Sequence, residues 1–201
     1  SPAAPRGRTP PAAELRGRGR HGGIDWIFLR HERNGGKGAA VRSALAHADC
    51  ELSVIHDADL EYHPRDLVRI VKVFVEEGAD AVFGSRFAGG EARRVLLFRH
   101  ELGNRLLTFL SNWFTDLNLT DMETCYKLFR ADVLKSIRLK ENRFGFEPEV
   151  TAKIGRVKGI RLYEVGISYY GRTYEEGKKI GWKDGIRTIY CILKYGLFKA
   201  D

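Results

Sequence analysis

Short apolar runs alternate with helix-length segments through the first half of the chain, and that rhythm constrains the fold more than any other feature. Residues 24–29 read as a strand, and Asn34-Gly35-Gly36-Lys37-Gly38 makes a flexible turn into a helix over about 39–47. Residues 52–56 form the next strand. Pro64 stands at a favoured helix start, residues 66–77 carry helical periodicity through Leu67, Ile70, Val71 and Phe74, and Gly78 closes that helix. Residues 79–83 are a third strand, ending at Gly84-Ser85-Arg86. Strand, helix, strand, helix, strand calls for right-handed crossovers and a mainly parallel sheet flanked by helices. In open sheets of that kind ligands bind beyond the carboxyl ends of the strands, so the residues that follow each strand are the candidates for function.

Asp57-Ala58-Asp59-Leu60-Glu61 follows the second strand. Alternate side chains of an extended chain point the same way, which predicts that the three carboxylates converge. Three like charges at one point are unfavourable unless a cation joins them. Hard oxygen ligands suit Mg²⁺ or Mn²⁺, with positions left for substrate phosphates. Acids in this place also begin turns and cap helices, and a phosphatase with an aspartyl nucleophile can carry the same pattern. An EF-hand loop is excluded, since Tyr62 and Val68 stand where its glycine and glutamate belong. Arg86, at the end of another strand, is either a phosphate grip or a plain surface ion-pair residue. Lys37 lies in a Gly-rich turn entering a helix, where backbone N–H groups can face an anion. The turn is not a Walker loop, because Gly38 replaces the required Ser or Thr.

A chain of 201 residues can hold one good-sized core, and 43% hydrophobic with 30% charged residues reads as a soluble globular protein. Cys50, Cys125 and Cys191 are odd in number and far apart, which excludes a CxxC zinc site or a disulfide framework and points to a reducing compartment. No apolar run approaches the roughly 20 residues that span a bilayer, and there is no secretory signal pattern. The expected location is therefore cytoplasmic, with membrane contact peripheral and at the inner face. The formal charge is +8, and residues 1–23 hold five arginines against Glu14, together with four of the six prolines. That segment is expected to be a disordered tail rather than a nucleic-acid arm. It leaves a domain over residues 24–181 and an amphipathic C-terminal helix within 182–201.

Further helices are expected at about 95–115, 131–137 and 147–156, and a strand at 161–169. The last helix, about 182–198, puts Trp182, Ile186, Ile189, Leu193 and Leu197 on one stripe, with Lys183, Arg187, Lys194 and Lys199 beside it. Such a helix can lie in a membrane interface or dock on the domain's own core. Glu147 and Glu149 straddle Pro148 at a helix start, where acids suit the dipole. Arg172, Lys178 and Lys179 belong to a Gly-bounded basic loop.

Six motifs then stand in a telling order. They are Asn34-Gly35-Gly36-Lys37-Gly38-Ala39-Ala40, Asp57-Ala58-Asp59-Leu60-Glu61-Tyr62-His63-Pro64, Gly84-Ser85-Arg86-Phe87, the stretch from Asp121-Met122-Glu123-Thr124-Cys125-Tyr126-Lys127 to Arg130, Phe144-Gly145-Phe146-Glu147-Pro148-Glu149, and Tyr170-Gly171-Arg172 through Ile180. Together they resemble glycosyltransferase family 2 enzymes of the dolichol-phosphate (polyprenyl-phosphate) mannosyl- or glucosyltransferase type. The resemblance implies a GT-A fold and a nucleotide-diphosphate sugar donor of the GDP-mannose or UDP-glucose type. It implies a metal at Asp57, Asp59 and Glu61, with Lys37, Asp57 and Arg86 on the donor and Asp59 and Arg86 in catalysis. Asp121, Thr124, Lys127 and Glu147 would lie near the site, and Arg172, Lys178 and Lys179 would approach the acceptor's phosphate.

The implied reaction is a single displacement with inversion, in which a polyprenyl phosphate attacks the anomeric carbon. An ionised phosphate needs less help from a general base than a sugar hydroxyl does. The alternatives are a saccharide or other hydroxyl acceptor, or a non-catalytic remnant that binds membrane or a partner. A membrane surface is an expected partner and nucleic acid is not; the oligomeric state cannot be read. One departure stands out. Family members begin with a Pro-x-Tyr-Asn-Glu-like turn and an Asp-Asp-Gly-Ser-like segment, and neither precedes Ile24. The nucleotide-binding half is accordingly expected to be truncated at its N-terminus, with a sheet short of a strand or two and weak donor binding.

Overall fold

The computed structural model describes residues 13–89, 94–95, 98–172, 175 and 181–198. A four-stranded mixed sheet forms the centre, with strand order β3-β5-β4-β6. Its members are β3 (Leu52–Ile55), β4 (Ala81–Ser85), β5 (Lys127–Arg130) and β6 (Leu162–Gly166). β4 pairs parallel with β6, while β5 runs antiparallel to both β3 and β4. Three strands therefore share a direction, but β3 and β4 are not neighbours and only the β4–β6 pair is parallel, so the sheet is mixed rather than mainly parallel. β5 is wedged between them, with Leu52 opposite Arg130 on one side and Ala81 opposite Phe129 on the other. The reversal has a consequence for function. The amino end of β5 lies on the same rim as the carboxyl ends of β3, β4 and β6.

β4 is buried along its whole length, which its apolar run Ala81-Val82-Phe83 permits. Phe83 meets Phe129 edge-on at 5.6 Å between ring centroids. Around them pack Ile70 of α2 (Arg65–Glu76), Val133 and Leu134 of α4 (Ala131–Ser136), and Phe146, Val150 and Ile154 of α5 (Phe146–Ile154). Each fully buried side chain of this size stabilises the fold by about 1.5–3 kcal/mol before entropy is counted. α2 is closed by Gly78 at φ 58°, the left-handed conformation that favours glycine after a helix.

Two expectations at the amino end are corrected. Residues 24–29 do not join the central sheet. β2 (Ile24–His31) pairs antiparallel with β1 (Ala13–His21) as a separate hairpin, and residues 13–21 are thus a strand rather than part of a disordered tail. The turn between them explains both points. Gly22 and Gly23 have φ of 56° and 81°, the two positive values of a type I′ turn, whose twist matches that of a hairpin. Residues 1–12 lie outside the described set. α1 (Lys37–Leu45) follows, and His31 Nε2 shares a hydrogen bond with Ser43 Oγ of this helix at 2.9 Å.

The two long helices leave much of their apolar surface exposed. α6 (Trp182–Ile192) and a following π-helical turn (Leu193–Leu197) bury Thr188, Cys191, Ile192 and Tyr195. The expected stripe faces outward, with Ile186 58% and Leu197 50% exposed. Glu141 is a buried carboxylate that takes Lys194 Nζ at 2.9 Å, Tyr195 Oη at 2.8 Å and Arg187 Nη2 at 2.5 Å. Those bonds tie Arg187, Lys194 and Tyr195 to the domain. Lys199 and the side chains of Trp182 and Lys183 are not described. α3 (Phe98–Thr115) is similar: its buried members are Thr108 and Ser111, while Phe98, Leu102, Leu106, Phe109 and Trp113 form an exposed apolar face. Thr108 Oγ1 accepts the Met122 N–H at 3.1 Å, which holds the polar side inward. No helix among the described residues is long and apolar enough to cross a membrane.

Candidate active site

β3 stops at Ile55, before the acids, and the chain reverses at Leu60, a non-glycine residue at φ 63°. The acids therefore do not alternate along one strand, and they divide between two cationic neighbours, Lys37 and Arg172. Asp57 Oδ2 accepts a hydrogen bond from Lys37 Nζ at 2.9 Å, and its backbone N–H donates to Cys125 Sγ at 3.1 Å. Glu61 Oε1 accepts from both the backbone N–H and Nε of Arg172 at 3.0 Å, and Oε2 accepts from Tyr169 Oη at 3.0 Å. Asp59 Oδ1 accepts the Glu61 N–H at 3.2 Å, while Oδ2 lies 3.5 Å from Arg172 Nη2. The predicted convergence of three carboxylates is thus corrected. Among the described residues no group of three or more His, Cys, Asp or Glu side chains is placed to hold a metal ion.

The donor set still suits a hard cation in a smaller way. Asp59 and Glu61 are neighbouring carboxylates gathered on one guanidinium. A Mg²⁺ or Mn²⁺ ion that takes one or two carboxylates and completes its shell with substrate phosphates fits such a pair. Asp57 stands apart from it on Lys37.

Lys37 joins two halves of the molecule. Its Nζ reaches Asp57 Oδ2 at 2.9 Å and Glu147 Oε1, at the start of α5, at 2.7 Å. Burial works against its charge, but Glu147, Cys125 and Asp57 hold its pKa well above the usual lysine value. The glycines around it answer to crowding as well as to flexibility. A Cβ on Gly38 would sit 2.1 Å from Glu141 O, and one on Gly36, at φ 84°, would sit 2.6 Å from Asn142 O. Ala39 N–H donates to that same Asn142 oxygen at 3.0 Å, so the turn is pressed against the 141–142 segment. Lys37, Arg30, Arg33, Gly36, Phe28 and Arg143 line a cavity of about 850 Å³ between β2 and α1.

On the next strand, Arg86 is gripped by Asp121, with Nε to Oδ2 at 2.6 Å and Nη2 to Oδ1 at 2.7 Å. This is the forked geometry of a strong ion pair. Asp121 is wholly buried, and the guanidinium also lies 5.2 Å from the Tyr169 ring centroid. Burial opposes the Arg86 charge, yet Asp121 holds its pKa above the usual arginine value. Lys127 is wholly buried beneath this loop; its Nζ donates to Met122 O at 2.9 Å and to Thr124 O, and lies 4.8 Å from the Phe83 ring centroid. Burial pushes its pKa down to about 8. Burial, then the Glu147 charge, pushes the Glu123 carboxyl up to about 8.

The rim thus gathers Lys37, Asp57, Asp59, Glu61, Arg86, Asp121, Thr124, Lys127, Glu147 and Arg172. Lys178 and Lys179 lie outside the described residues. Glu149 has a different task, since its carboxylate accepts the N–H groups of Lys140 and Glu141 at 2.7–2.9 Å and so shapes the segment against Lys37. Sequence reasoning gave no role to Tyr169, which ties Glu61 to Arg86, or to Glu123, which sits inside a motif it did quote. The spacing of Tyr169 three residues before Arg172 was the available signal for the first.

Comparison with known proteins bears on the family and the fold. The profile described as glycosyl transferase family 2 matches residues 12–138. An undecaprenyl-phosphate mannosyltransferase from Micrococcus luteus is 30% identical over 151 residues, covering 70% of this chain and 58% of the relative. A UDP-N-acetylglucosamine–dolichyl-phosphate N-acetylglucosaminyltransferase from Methanococcus voltae is 23% identical over 179 residues, covering 87% and 71%. In fold, the chain is similar to glucosyl-3-phosphoglycerate synthase from Mycobacterium tuberculosis, crystallised with Mn²⁺, UDP and glucosyl-3-phosphoglycerate, at a TM-score of 0.61 and 17% identity; 80% of this chain covers 55% of that one. The match in sequence and the shared α/β architecture lead to one conclusion: the chain belongs to glycosyl transferase family 2 and is built on the GT-A fold.

Proposed function

We propose that this chain transfers a hexose, with inversion, from a nucleotide-diphosphate sugar to a polyprenyl phosphate. The observation that carries the reading is the alternation of acids and cations along one rim of the sheet: Asp57 with Lys37, Asp59 and Glu61 with Arg172, and Asp121 with Arg86. Such a rim is balanced without ligand, and it can exchange its internal ion pairs for phosphate oxygens and a divalent cation. Asp59 and Glu61 would hold the ion together with the donor's diphosphate; when bound, it supplies positive charge against the leaving group.

The protein's own groups do the rest. Lys37, fixed between Asp57 and Glu147, stays protonated and meets the donor phosphates. Arg86 is kept rigid by Asp121 through its Nε and Nη2 and is placed to meet a phosphate oxygen. Arg172, which now pairs with Asp59 and Glu61, would meet the acceptor phosphate, and Lys178 and Lys179 follow it in the sequence. No general base is required for an acceptor that is already ionised. The relatives named above, which act on undecaprenyl or dolichyl phosphate, support this choice of acceptor.

A lipid acceptor calls for a lipid surface. The outward face of α3, joined by Ile186, Tyr190, Leu197 and Phe198 from the C-terminal helix, supports docking on one. The test of the whole reading is a transfer assay with Mn²⁺, labelled UDP-glucose or GDP-mannose, and a short-chain polyprenyl phosphate. Label should pass into the organic phase as a sugar phosphate lipid. Label that appears only in water-soluble products, or no transfer at all, would sink it.

A further inference from the structure

Tyr169 stands between the carboxylate proposed to meet the metal and the guanidinium proposed to meet the donor phosphates. Its Oη donates to Glu61 Oε2 at 3.0 Å, and the Arg86 guanidinium lies over its ring, 5.2 Å from the centroid. The tyrosine is itself held from several sides. Just before it, the Ile167 N–H donates to Ser85 O at 2.9 Å, and the Ser168 N–H donates to the buried Asp66 carboxylate at 2.9 Å. The Tyr169 carbonyl accepts the Arg94 N–H at 2.8 Å, and its ring packs 5.5 Å from that of Tyr62. One well-anchored side chain therefore touches both halves of the proposed donor site.

The two oxygens of Glu61 are not equivalent. Oε1 accepts two N–H groups, both from Arg172, whereas among the described residues Oε2 accepts only the tyrosine hydroxyl. A carboxylate oxygen carries two lone pairs, so Oε2 keeps one for a cation, and the bond from Tyr169 sets the direction in which it points. A neutral hydroxyl does this without cancelling the charge that a cation needs. Hydrogen bonds of this kind to metal-binding groups fix their orientation and tune affinity. The ring makes the second contact, since its π face attracts a guanidinium; with the fork from Asp121 it holds Arg86 from two directions. We infer that Tyr169 is a positioning residue, one that fixes Glu61 and Arg86 relative to each other so that a divalent cation and the arginine act on the same diphosphate. The inference rests on the nucleotide-sugar reading above and adds to it the residue that couples its metal and phosphate halves.

The experiment uses the full chain. Mn²⁺ binding is read by electron paramagnetic resonance, and binding of UDP and GDP by calorimetry, both with Mn²⁺ and in EDTA. Y169F removes the hydroxyl and keeps the ring. It should weaken Mn²⁺ binding about tenfold and leave metal-free binding of the preferred diphosphate within about twofold of wild type. Y169L removes both contacts and should also weaken the metal-free diphosphate about threefold, the scale of a solvent-accessible cation–π contact. A tyrosine that only packs the fold would lower both affinities together in Y169F, or neither, and either result overturns the inference. Unchanged metal-free binding in Y169L would remove the ring's part in it. Y169F preserves the packing, so its outcome decides even where Y169L does not fold. If the wild-type chain binds neither Mn²⁺ nor a diphosphate, the donor reading itself fails, and this inference with it; if the wild type binds both and Y169F matches it, the failure belongs to Tyr169 alone.

Discussion

Arg172 reaches Glu61 twice, through its backbone N–H and its Nε, each at 3.0 Å from Oε1. The loop proposed to meet the acceptor is thus latched to the acids proposed to meet the metal. Loss of the latch should free the acids for a cation. Arg172→Gln should tighten Mn²⁺ binding in the absence of nucleotide about threefold to tenfold, on the scale of a partly exposed ion pair, and should lower transfer to lipid phosphate. A manganese titration followed by electron paramagnetic resonance reads the first effect; unchanged or weaker binding would contradict the latch.

Lys37 neutralises a carboxylate that has almost no contact with water. Lys37→Met should leave Glu147 buried without a counter-charge and destabilise the fold by about 3–5 kcal/mol. Adding Glu147→Gln should recover a large part of that loss in urea denaturation. Additive losses in the double variant would mean that the two side chains are not coupled.

Arg86 and Asp121 form a fork that lysine cannot reproduce. Arg86→Lys should cost about 1.5–3 kcal/mol of stability, the range of a hydrogen bond to a charged group, and should reduce transfer more than it reduces donor binding. Equal loss of both would place Arg86 in ground-state binding alone.

Glu141 sets the acid limit of the C-terminal helix. Burial works to raise its pKa, but hydrogen bonds from Lys194, Arg187 and Tyr195 hold it at about 2. A folded-state value below the unfolded one contributes stability that is fully present above the unfolded pKa and lost as pH falls toward the folded value. The contribution, on the order of 2–3 kcal/mol, should therefore fade from about pH 4.5 down to about pH 2. Hydrogen exchange should show α6 opening first over that window, and Glu141→Gln should remove the pH dependence of this helix.

The α3 face should bind lipid without supporting the fold. Trp113 is 73% exposed and Phe98 76%, so Phe98→Glu with Trp113→Glu should change stability by no more than about 0.5 kcal/mol per site. The same pair should reduce sedimentation with anionic vesicles severalfold. Wild-type levels of vesicle binding in the double variant would remove the face from any membrane role.

Much of the framework was legible because it is written in local terms. Pro64 and Gly78 bracket a helix by their backbone preferences alone, and the apolar run 81–83 announces a strand buried on both faces. The motifs carrying Lys37, Asp57, Arg86 and Arg172 could be placed near strand ends before any contact was known. What could not be read was β5, four residues long and embedded in a motif, whose antiparallel insertion brings Asp121 to Arg86. The hairpin of residues 13–31 was missed for a different reason. Residues 1–23 read as a Pro/Arg-rich solvated tail, and the Gly22-Gly23 turn that pairs β1 with β2 went unread.

By itself, then, the sequence determined the α/β class, the order of acids and cations, and the family. Tertiary structure alone decided which acid meets which cation, which helix faces turn outward, and that three carboxylates divide between two partners rather than converge. The physical reason is range. Propensity, turn chemistry and periodicity act over a few neighbouring residues, whereas the pairs Lys37–Glu147, Arg86–Asp121 and Glu61–Arg172, and the three bonds from α6 to Glu141, join positions far apart in the chain. Their formation depends on the relative placement of packed elements, which no local pattern encodes.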